Sequence, residues 1–226
     1  EFMRGRHQNF MVFSDATQFF WQGISPYTTE FVEAHGRYFL YSPVFTVLFA
    51  PFAYLPAWLG PFAWNLFNYS LFFVAIFTLP QQFTQQQKCR MFLFLLLILG
   101  QSLLSFQYNI TVAYLFLFAY TLLEKDRGFL AVLLIMISGC TKVYGIFELA
   151  LLLCYPHVWR NFGYAVAMGI VLLTLPLIKI APADLLPYYE EWCHSLAVHQ
   201  SAGAYDSFFL PAPLQHGHCH TSVHFR

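Results

Sequence analysis

The residue with the clearest chemical potential in this sequence is a lysine inside an apolar segment. Residues 130–156 read LAVLLIMISGCTKVYGIFELALLLCYP, and Lys142 lies near the middle of them. Either the lysine extends its ammonium group to a membrane interface, or it binds an anion such as a phosphate, since charges within membrane segments are functional candidates. Tyr144 and Gly145 follow directly and would let a head group approach.

Two amides lie at a short polar break between apolar segments. Gln107 and Asn109 flank Tyr108 there. Amide groups at this point are suited to hydrogen bonds with sugar hydroxyls. Asn is also a favoured N-cap, so Asn109 could instead start the helix predicted over 110–123. Both alternatives stay open at the level of sequence.

The polar N-terminal region supplies candidates for acid–base chemistry. Asp15 and Glu33 could each take a proton from a hydroxyl group, although a solvated surface is the commoner place for a carboxylate. Arg37 and Tyr41 enter the apolar region together. The arginine either contacts a phosphate or anchors the chain, and the tyrosine is typical of an aromatic belt at the membrane interface.

Two groups of side chains resemble metal sites. Glu190, Glu191 and His194 fall within one helical turn, where a solvated face is the simpler interpretation. The tail 211–226 contains alternating histidines that could chelate a metal, and Cys219, which could pair with Cys193 if the region is extracytoplasmic. We interpret the tail as an artefact of truncation or of a frame change, and we predict no metal site and no cofactor.

Composition indicates a membrane protein. The 226 residues are 58% hydrophobic and 10% charged, whereas soluble domains carry about 25% charged residues. So few polar groups cannot cover a soluble fold, and the apolar runs are continuous rather than alternating, which excludes a barrel. We predict an all-α polytopic protein in a lipid bilayer. The formal net charge is zero, which gives no reason to expect nucleic acid as a partner.

The apolar segments predict how the chain crosses the membrane. An amphipathic helix over 9–20 comes first, with Phe10, Phe13, Thr17 and Phe20 on one face. The segment 43–56 is too short to cross about 30 Å of hydrocarbon. Membrane-spanning helices are predicted over residues 61–80, 91–105, 110–123 and 162–180.

Basic residues in the loops predict the orientation. Loops 81–90, 124–128 and 156–161 each contain Lys or Arg and should be cytoplasmic. Both ends of the segment between the last two loops then lie on one side, so this segment is predicted to be a hairpin. Its arms are residues 129–140 and 146–155, and Lys142 lies at the extracytoplasmic turn.

This orientation divides the chain into three regions. Residues 1–37 form an extracytoplasmic loop with the amphipathic helix, 38–180 form the transmembrane domain, and 181–226 form a second extracytoplasmic loop with the tail. The polar residues that are not needed for cytoplasmic anchoring collect on the outer side. The opening Glu-Phe before Met3 resembles a cloning scar, and no apolar segment precedes residue 38, so we predict a fragment that has lost its first span.

Several segments also follow one another in a recognisable order. They are NFMVFSDATQFFWQGISPY (9–27), YFLYSPVFTVLFAPFAYLP (38–56), WNLFNYSLFF (64–73), QYN (107–109), YTLLEKDRGFLAVLLIMISGCTKVYGIFELALLL (120–153) and YYEEWCHSLAVH (188–199). In this order and spacing, over about residues 9–210, the chain resembles glycosyltransferase family 87, whose members are multi-spanning enzymes of the GT-C fold class.

The resemblance implies a truncated GT-C-like bundle with short and broken helices. It also implies a hexosyltransferase of the mannosyltransferase type in the cell membrane, with its active face extracytoplasmic. The donor would be a polyprenyl-phosphate sugar and the acceptor a lipid or a glycan. The candidate residues for binding the donor phosphate or sugar are Lys142, Tyr144, Arg37, Tyr41, Gln107 and Asn109.

One position departs from the family pattern. The acidic first-loop position falls on Asn9, whose amide cannot take a proton. Asp15 or Glu33 substitutes for it, the base lies in a missing N-terminal part, or the chemistry has changed. The alternative function is a membrane transporter or a non-catalytic scaffold, because transporters also contain broken helices. The sequence shows no inverted repeat, and the one-sided collection of polar residues favours the enzyme.

Overall fold

A computed structural model describes residues 8–208, and within that range the chain is helical with no strand. The α-helices are α1 (Gln8–Gln22), α2 (Thr29–His35), α3 (Pro43–Ala53), α4 (Leu59–Phe77), α5 (Gln85–Leu104), α6 (Asn109–Leu123), α7 (Gly128–Thr141), α8 (Val158–Leu173) and α9 (Pro182–Phe208). Two 3₁₀ helices cover Val143–Cys154 and Leu175–Ile178.

The lengths of the apolar helices fit a membrane bundle. Among the described residues, two helical stretches are long and apolar enough to span a bilayer, Leu59–Phe77 with 19 residues and Val158–Ile178 with 21. Four further apolar helices are shorter, α3, α6, α7 and the 3₁₀ helix Val143–Cys154. The prediction of an all-α membrane protein is therefore confirmed.

Helix α1 buries the face that its periodicity predicts. Phe10, Phe13, Thr17 and Phe20 are all buried, and they pack α1 across α3. The ring of Phe13 meets that of Phe45 with the centroids 5.1 Å apart. The helix ends at Gln22, because Gly23 adopts a φ of +83° that favours glycine.

The short helix α2 is defined by its two caps. The Thr28 side chain accepts a hydrogen bond from the amide of Phe31 at 3.3 Å. At the other end Gly36 has a φ of +64°, and its amide donates to the Val32 carbonyl at 2.7 Å. These caps fix the position of His35, the last residue of the helix.

Helix α5 begins earlier than predicted. The expected loop 81–90 is wrong in its second half, since the helix starts at Gln85 and includes Lys88 and Arg90. Lys88 is buried, and its ammonium group donates hydrogen bonds to the carbonyls of Phe77 and Leu79. Lys88 therefore satisfies free carbonyl groups at the end of α4 with its side chain. Counting the charges of a loop cannot distinguish this structural role from that of a cytoplasmic anchor.

The hairpin at Lys142 is present, with a sharper turn than predicted. Helix α7 ends at Thr141 and the 3₁₀ helix begins at Val143, so the break is a single residue. The returning arm is 3₁₀ rather than α. With rises of about 1.5 and 2.0 Å per residue, the arms are about 21 and 24 Å long and so nearly matched. They approach closely at Gly145, where a Cβ would lie 2.4 Å from Ser138 Oγ.

The C-terminal part contains more helix than predicted. The expected span 162–180 is divided between α8 and the 3₁₀ helix Leu175–Ile178. Most of the described part of the expected loop 181–226 belongs to the 27-residue helix α9, which includes Glu190, Glu191 and His194. Helix α9 returns to the first half of the chain, where Trp192 Nε1 donates to the Leu40 carbonyl at 3.1 Å.

Some sequence features lie outside the described residues. They are Met3 in the N-terminal segment and, in the tail, His216, His218, Cys219 and His220.

Candidate active site

Lys142 is surrounded by neutral polar and aromatic groups. Its ammonium group donates to Asn109 Oδ1 at 2.8 Å and to the Tyr41 hydroxyl at 3.3 Å. The same nitrogen lies 5.1 Å from the ring centroid of Tyr41 and 4.7 Å from that of Tyr144, within range of cation–π interactions. Burial of this turn lowers the pKa of Lys142 to about 8.

Asn109 organises the polar side of this turn. Its Oδ1 accepts hydrogen bonds from Lys142 and, at 2.5 Å, from the Tyr144 hydroxyl. Its amide nitrogen donates to Gln107 Oε1 at 3.0 Å. Asn109 is the first residue of α6 rather than its N-cap, because Tyr108 occupies the cap position, and the Tyr108 side chain makes no capping hydrogen bond.

Buried hydrogen bonds fix the position of the hairpin turn at Lys142. The Tyr108 hydroxyl and Thr141 Oγ1 are 3.0 Å apart. The amide of Ser42 donates to the Thr141 carbonyl at 3.3 Å, and the Ser42 hydroxyl donates to the Cys140 carbonyl. Because these contacts join the start of α3 and the start of α6 to the end of α7, they hold Lys142 and Tyr41 side by side.

Arg37 lines the same space as Lys142. Its Nη1 donates to Asn9 Oδ1 at 3.0 Å, and the Asn9 amide nitrogen donates to the Ser105 carbonyl at 2.6 Å. Asn9 thus connects α1 to the end of α5 and holds the guanidinium group. The position where the family resemblance implies an acidic residue is therefore occupied by a hydrogen-bonding amide.

All six predicted donor-binding residues line one cavity of about 680 Å³, which we call the lysine cavity. None of the described residues that line it is a carboxylate. The two cations, three amides and several aromatic rings among these described lining residues fit an anionic, hydroxylated ligand. The lining residues are Asn9, Val12, Phe13, Gly36, Arg37, Tyr38, Phe39, Leu40, Tyr41, Gln107, Asn109, Lys142, Tyr144 and His199.

The two predicted catalytic carboxylates do not line the lysine cavity. Asp15 lies on the other face of α1 and lines a second cavity of about 830 Å³, the aspartate cavity, together with Ser14, Gln18 and Asn65. Its Oδ2 is 2.8 Å from His35 Nε2. Glu33 is exposed on α2 and lines neither cavity.

Two histidines near these cavities were not predicted. His199 on α9 lines the lysine cavity, with its ring centroid 6.3 Å from that of Tyr38. His35 contacts Asp15. A signal for His35 was present in TTEFVEAHG, because Thr28 and Gly36 bracket a short helix that places positions 31 and 35 on one face. His199 had no comparable signal.

The suggested metal ligands on α9 are separated from both cavities. Glu190, Glu191 and His194 are exposed and line neither cavity, and Glu191 accepts a hydrogen bond from the Ser25 hydroxyl. Among the side chains that the structure describes, no three His, Cys, Asp or Glu residues are close enough to hold a metal ion.

Comparison with known proteins places the chain in a family. A search of curated proteins gave no match, and a search of solved structures gave none. The family model for glycosyltransferase family 87 matches residues 39–216, which is more than half of the 226 residues. The match includes the amides at 107 and 109 and the hairpin with Lys142. The chain therefore belongs to glycosyltransferase family 87.

Proposed function

We propose that this chain forms the donor-binding part of an integral membrane hexosyltransferase. The enzyme transfers a hexose such as mannose from a polyprenyl-phosphate donor to a lipid or glycan acceptor on the extracytoplasmic side of the cell membrane. Family membership already makes the chain a glycosyltransferase. The donor, the acceptor and the orientation are the proposed elements.

The observation that carries the proposal is the composition of the lysine cavity. Lys142 and Arg37 line it together, and the partners of Lys142 among the described residues are all neutral, namely Asn109, Tyr41 and Tyr144. A half-buried ammonium group without a carboxylate partner is costly unless an anion binds there. A lipid-linked phosphate supplies that anion, and it enters such a cavity from the bilayer.

The same groups would stabilise the leaving phosphate during transfer. As the bond between the sugar C1 and the phosphate oxygen breaks, negative charge develops on that oxygen, and a fixed cation lowers the energy of the transition state. Lys142 suits this role as a compact donor, and Arg37 suits binding of two phosphate oxygens. The amides of Gln107 and Asn109 are suited to the sugar hydroxyls.

We assign the general base to Asp15 rather than to Glu33. Asp15 lines a cavity and has a fixed partner in His35, whereas Glu33 is exposed and lines neither cavity. A base must lie within reach of the acceptor hydroxyl, and the aspartate cavity offers an acceptor a space bounded by polar groups of α1 and apolar groups of α3 and α4.

The orientation rests on charges at the two ends of the hairpin. The turn before α7 and the start of α8 lie together, since Arg160 and Asp126 are 3.8 Å apart. Lys125 and Arg127 belong to the same end. Lysines and arginines in short loops favour the cytoplasmic side, so Lys142 at the other end faces outward.

The proposal is tested with the full-length chain reconstituted in liposomes and supplied with radiolabelled polyprenyl-phosphate mannose or glucose. We expect transfer to a lipid or glycan acceptor. We expect Lys142→Ala to lower kcat by about 100-fold, the usual cost of one group that stabilises a transition-state charge, and Asp15→Asn to lower it similarly. Unchanged turnover in both variants, or transfer from a nucleotide sugar alone, would overturn the assignment.

A further inference from the structure

The carboxylate assigned as the base is paired with a histidine in a defined geometry. His35 Nε2 lies 2.8 Å from Asp15 Oδ2, and His35 Nδ1 lies 2.9 Å from the Phe31 carbonyl oxygen. The imidazole ring stacks on the Phe31 ring with centroids 4.2 Å apart and an interplanar angle of 22°. The side chain of His35 is 15% exposed and that of Asp15 is 38% exposed.

This geometry determines how many protons the pair holds. A backbone carbonyl only accepts hydrogen bonds, so His35 Nδ1 must carry a proton. The contact between Nε2 and Asp15 Oδ2 needs a second proton, because two acceptors cannot approach to 2.8 Å without one. The pair at rest is therefore an imidazolium with a carboxylate, or an imidazole with a carboxylic acid.

One member of the pair lines a cavity, and the residues that follow the other member line the second cavity. Asp15 lines the aspartate cavity, while the two residues that follow His35, Gly36 and Arg37, line the lysine cavity. Glu30 and Glu33, the other carboxylates of α2, are exposed. Among the described ion pairs, Asp15 is the carboxylate that contacts His35.

We propose that His35, acting through Asp15, receives the proton that leaves the acceptor hydroxyl during sugar transfer. The proposal rests on the proposed function and adds a residue to it. His35 is a positioning residue, since it does not itself line the cavity that holds the acceptor. Its imidazole holds Oδ2 in place and leaves Oδ1 to meet the hydroxyl group.

The step balances as follows. The acceptor oxygen forms a bond to the sugar C1, the bond from C1 to the phosphate oxygen breaks, and the lipid phosphate leaves with that electron pair. The acceptor O–H bond breaks and its proton goes to Asp15 Oδ1. The step starts from the imidazole–carboxylic acid form of the pair, in which Oδ2 carries the shared proton. That proton moves to Nε2 as Oδ1 takes the new one, so the pair finishes as a carboxylic acid and an imidazolium. The extra proton then passes to water.

The test separates proton transfer from simple positioning. His35→Gln retains a side-chain donor for Asp15 Oδ2 but cannot accept a proton. We expect it to lower kcat by about 100-fold, with the KM for the donor unchanged, because the lysine cavity is intact. We expect added imidazole to restore part of the turnover of His35→Ala, where the ring leaves a slot beside Phe31. Glu30→Gln, an exposed change on the same helix, is the matched control.

Two outcomes distinguish failure of the inference from failure of the proposed function. Wild-type kcat in His35→Gln, with Asp15→Asn inactive, overturns the role of His35 and leaves Asp15 as the base. Wild-type turnover in Asp15→Asn overturns both the role of His35 and the assignment of Asp15 as the base in the proposed function. A His35→Ala variant that unfolds at the wild-type temperature yet gains nothing from imidazole also counts against the proton relay.

Discussion

Replacing Asn109 by aspartate tests whether the charge of Lys142 binds the donor. The two side chains have the same shape, so the new carboxylate would remain 2.8 Å from the ammonium group, and the Tyr144 hydroxyl would still donate to it at 2.5 Å. An ion pair would replace an ion–dipole contact. The fold should persist, but the new carboxylate at position 109 would neutralise the positive charge of Lys142.

The size of the effect follows from the distances. A phosphate bound to the ammonium group at about 2.8 Å would lie up to about 6 Å from the new carboxylate. At an effective dielectric constant of about 20, two like charges at about 6 Å repel by about 3 kcal/mol, or about 100-fold in affinity. Asn109→Ala removes one acceptor without adding charge, and we expect it to weaken binding only about 10-fold.

The assay is equilibrium binding of a polyprenyl-phosphate sugar to the full-length chain in lipid nanodiscs. Thermal unfolding of each variant checks that the fold is retained. Binding of the Asn109→Asp variant at wild-type affinity would refute the assignment of Lys142 to the phosphate. Equal losses in the aspartate and alanine variants would show that the hydrogen bond, and not the charge, decides affinity.

Three further predictions follow from the same hairpin. Because burial lowers the pKa of Lys142 to about 8, its ammonium form is lost as the pH rises through that value. The donor KM should be constant below pH 8 and rise above it, whereas Lys142→Arg, which stays charged, should show no such rise. Gly145→Ala would place a methyl group 2.4 Å from Ser138 Oγ, so it should lower the unfolding free energy by about 2 kcal/mol. Gly163→Ala, where nothing lies within 4 Å, should not, and equal melting curves would contradict the close packing. Lys142→Cys, in a background without other cysteines, should react with a membrane-impermeant maleimide from outside intact cells, and reaction only after permeabilisation would reverse the orientation.

Periodicity and charge counts predicted the framework of the site. The buried face of α1 follows from the spacing of Phe10, Phe13, Thr17 and Phe20. The prediction of the hairpin follows from basic loops on both sides of one apolar segment, because such loops favour the same side of the membrane and a single crossing would separate them. The first inference uses the spacing of apolar residues, and the second uses the positions of Lys and Arg in the loops. Both can be read from neighbouring residues in the sequence without knowledge of tertiary contacts.

Contacts between distant segments could not be predicted in this way. The hydrogen bond from Arg37 to Asn9 joins positions 28 residues apart, and the one from Lys142 to Asn109 joins positions 33 apart. The 3₁₀ form of Val143–Cys154 accompanies the close approach of this segment to α7 at Gly145, a tertiary contact that local sequence patterns do not show. The buried position of Lys88 depends likewise on the end of α4.

The partners that Lys142 lacks are as informative as those it has. Glu148 belongs to the same hairpin and could have served as a counter-ion, yet its Oε1 accepts from Ser138 Oγ at 2.8 Å. At the opposite end of the hairpin, Arg160 does have a carboxylate nearby in Asp126. A lysine needed only for folding would gain from such a neighbour, since an unpaired buried charge is costly. Surrounding Lys142 with an amide and two tyrosines instead keeps its positive charge available, and this favours a bound anion as its natural partner.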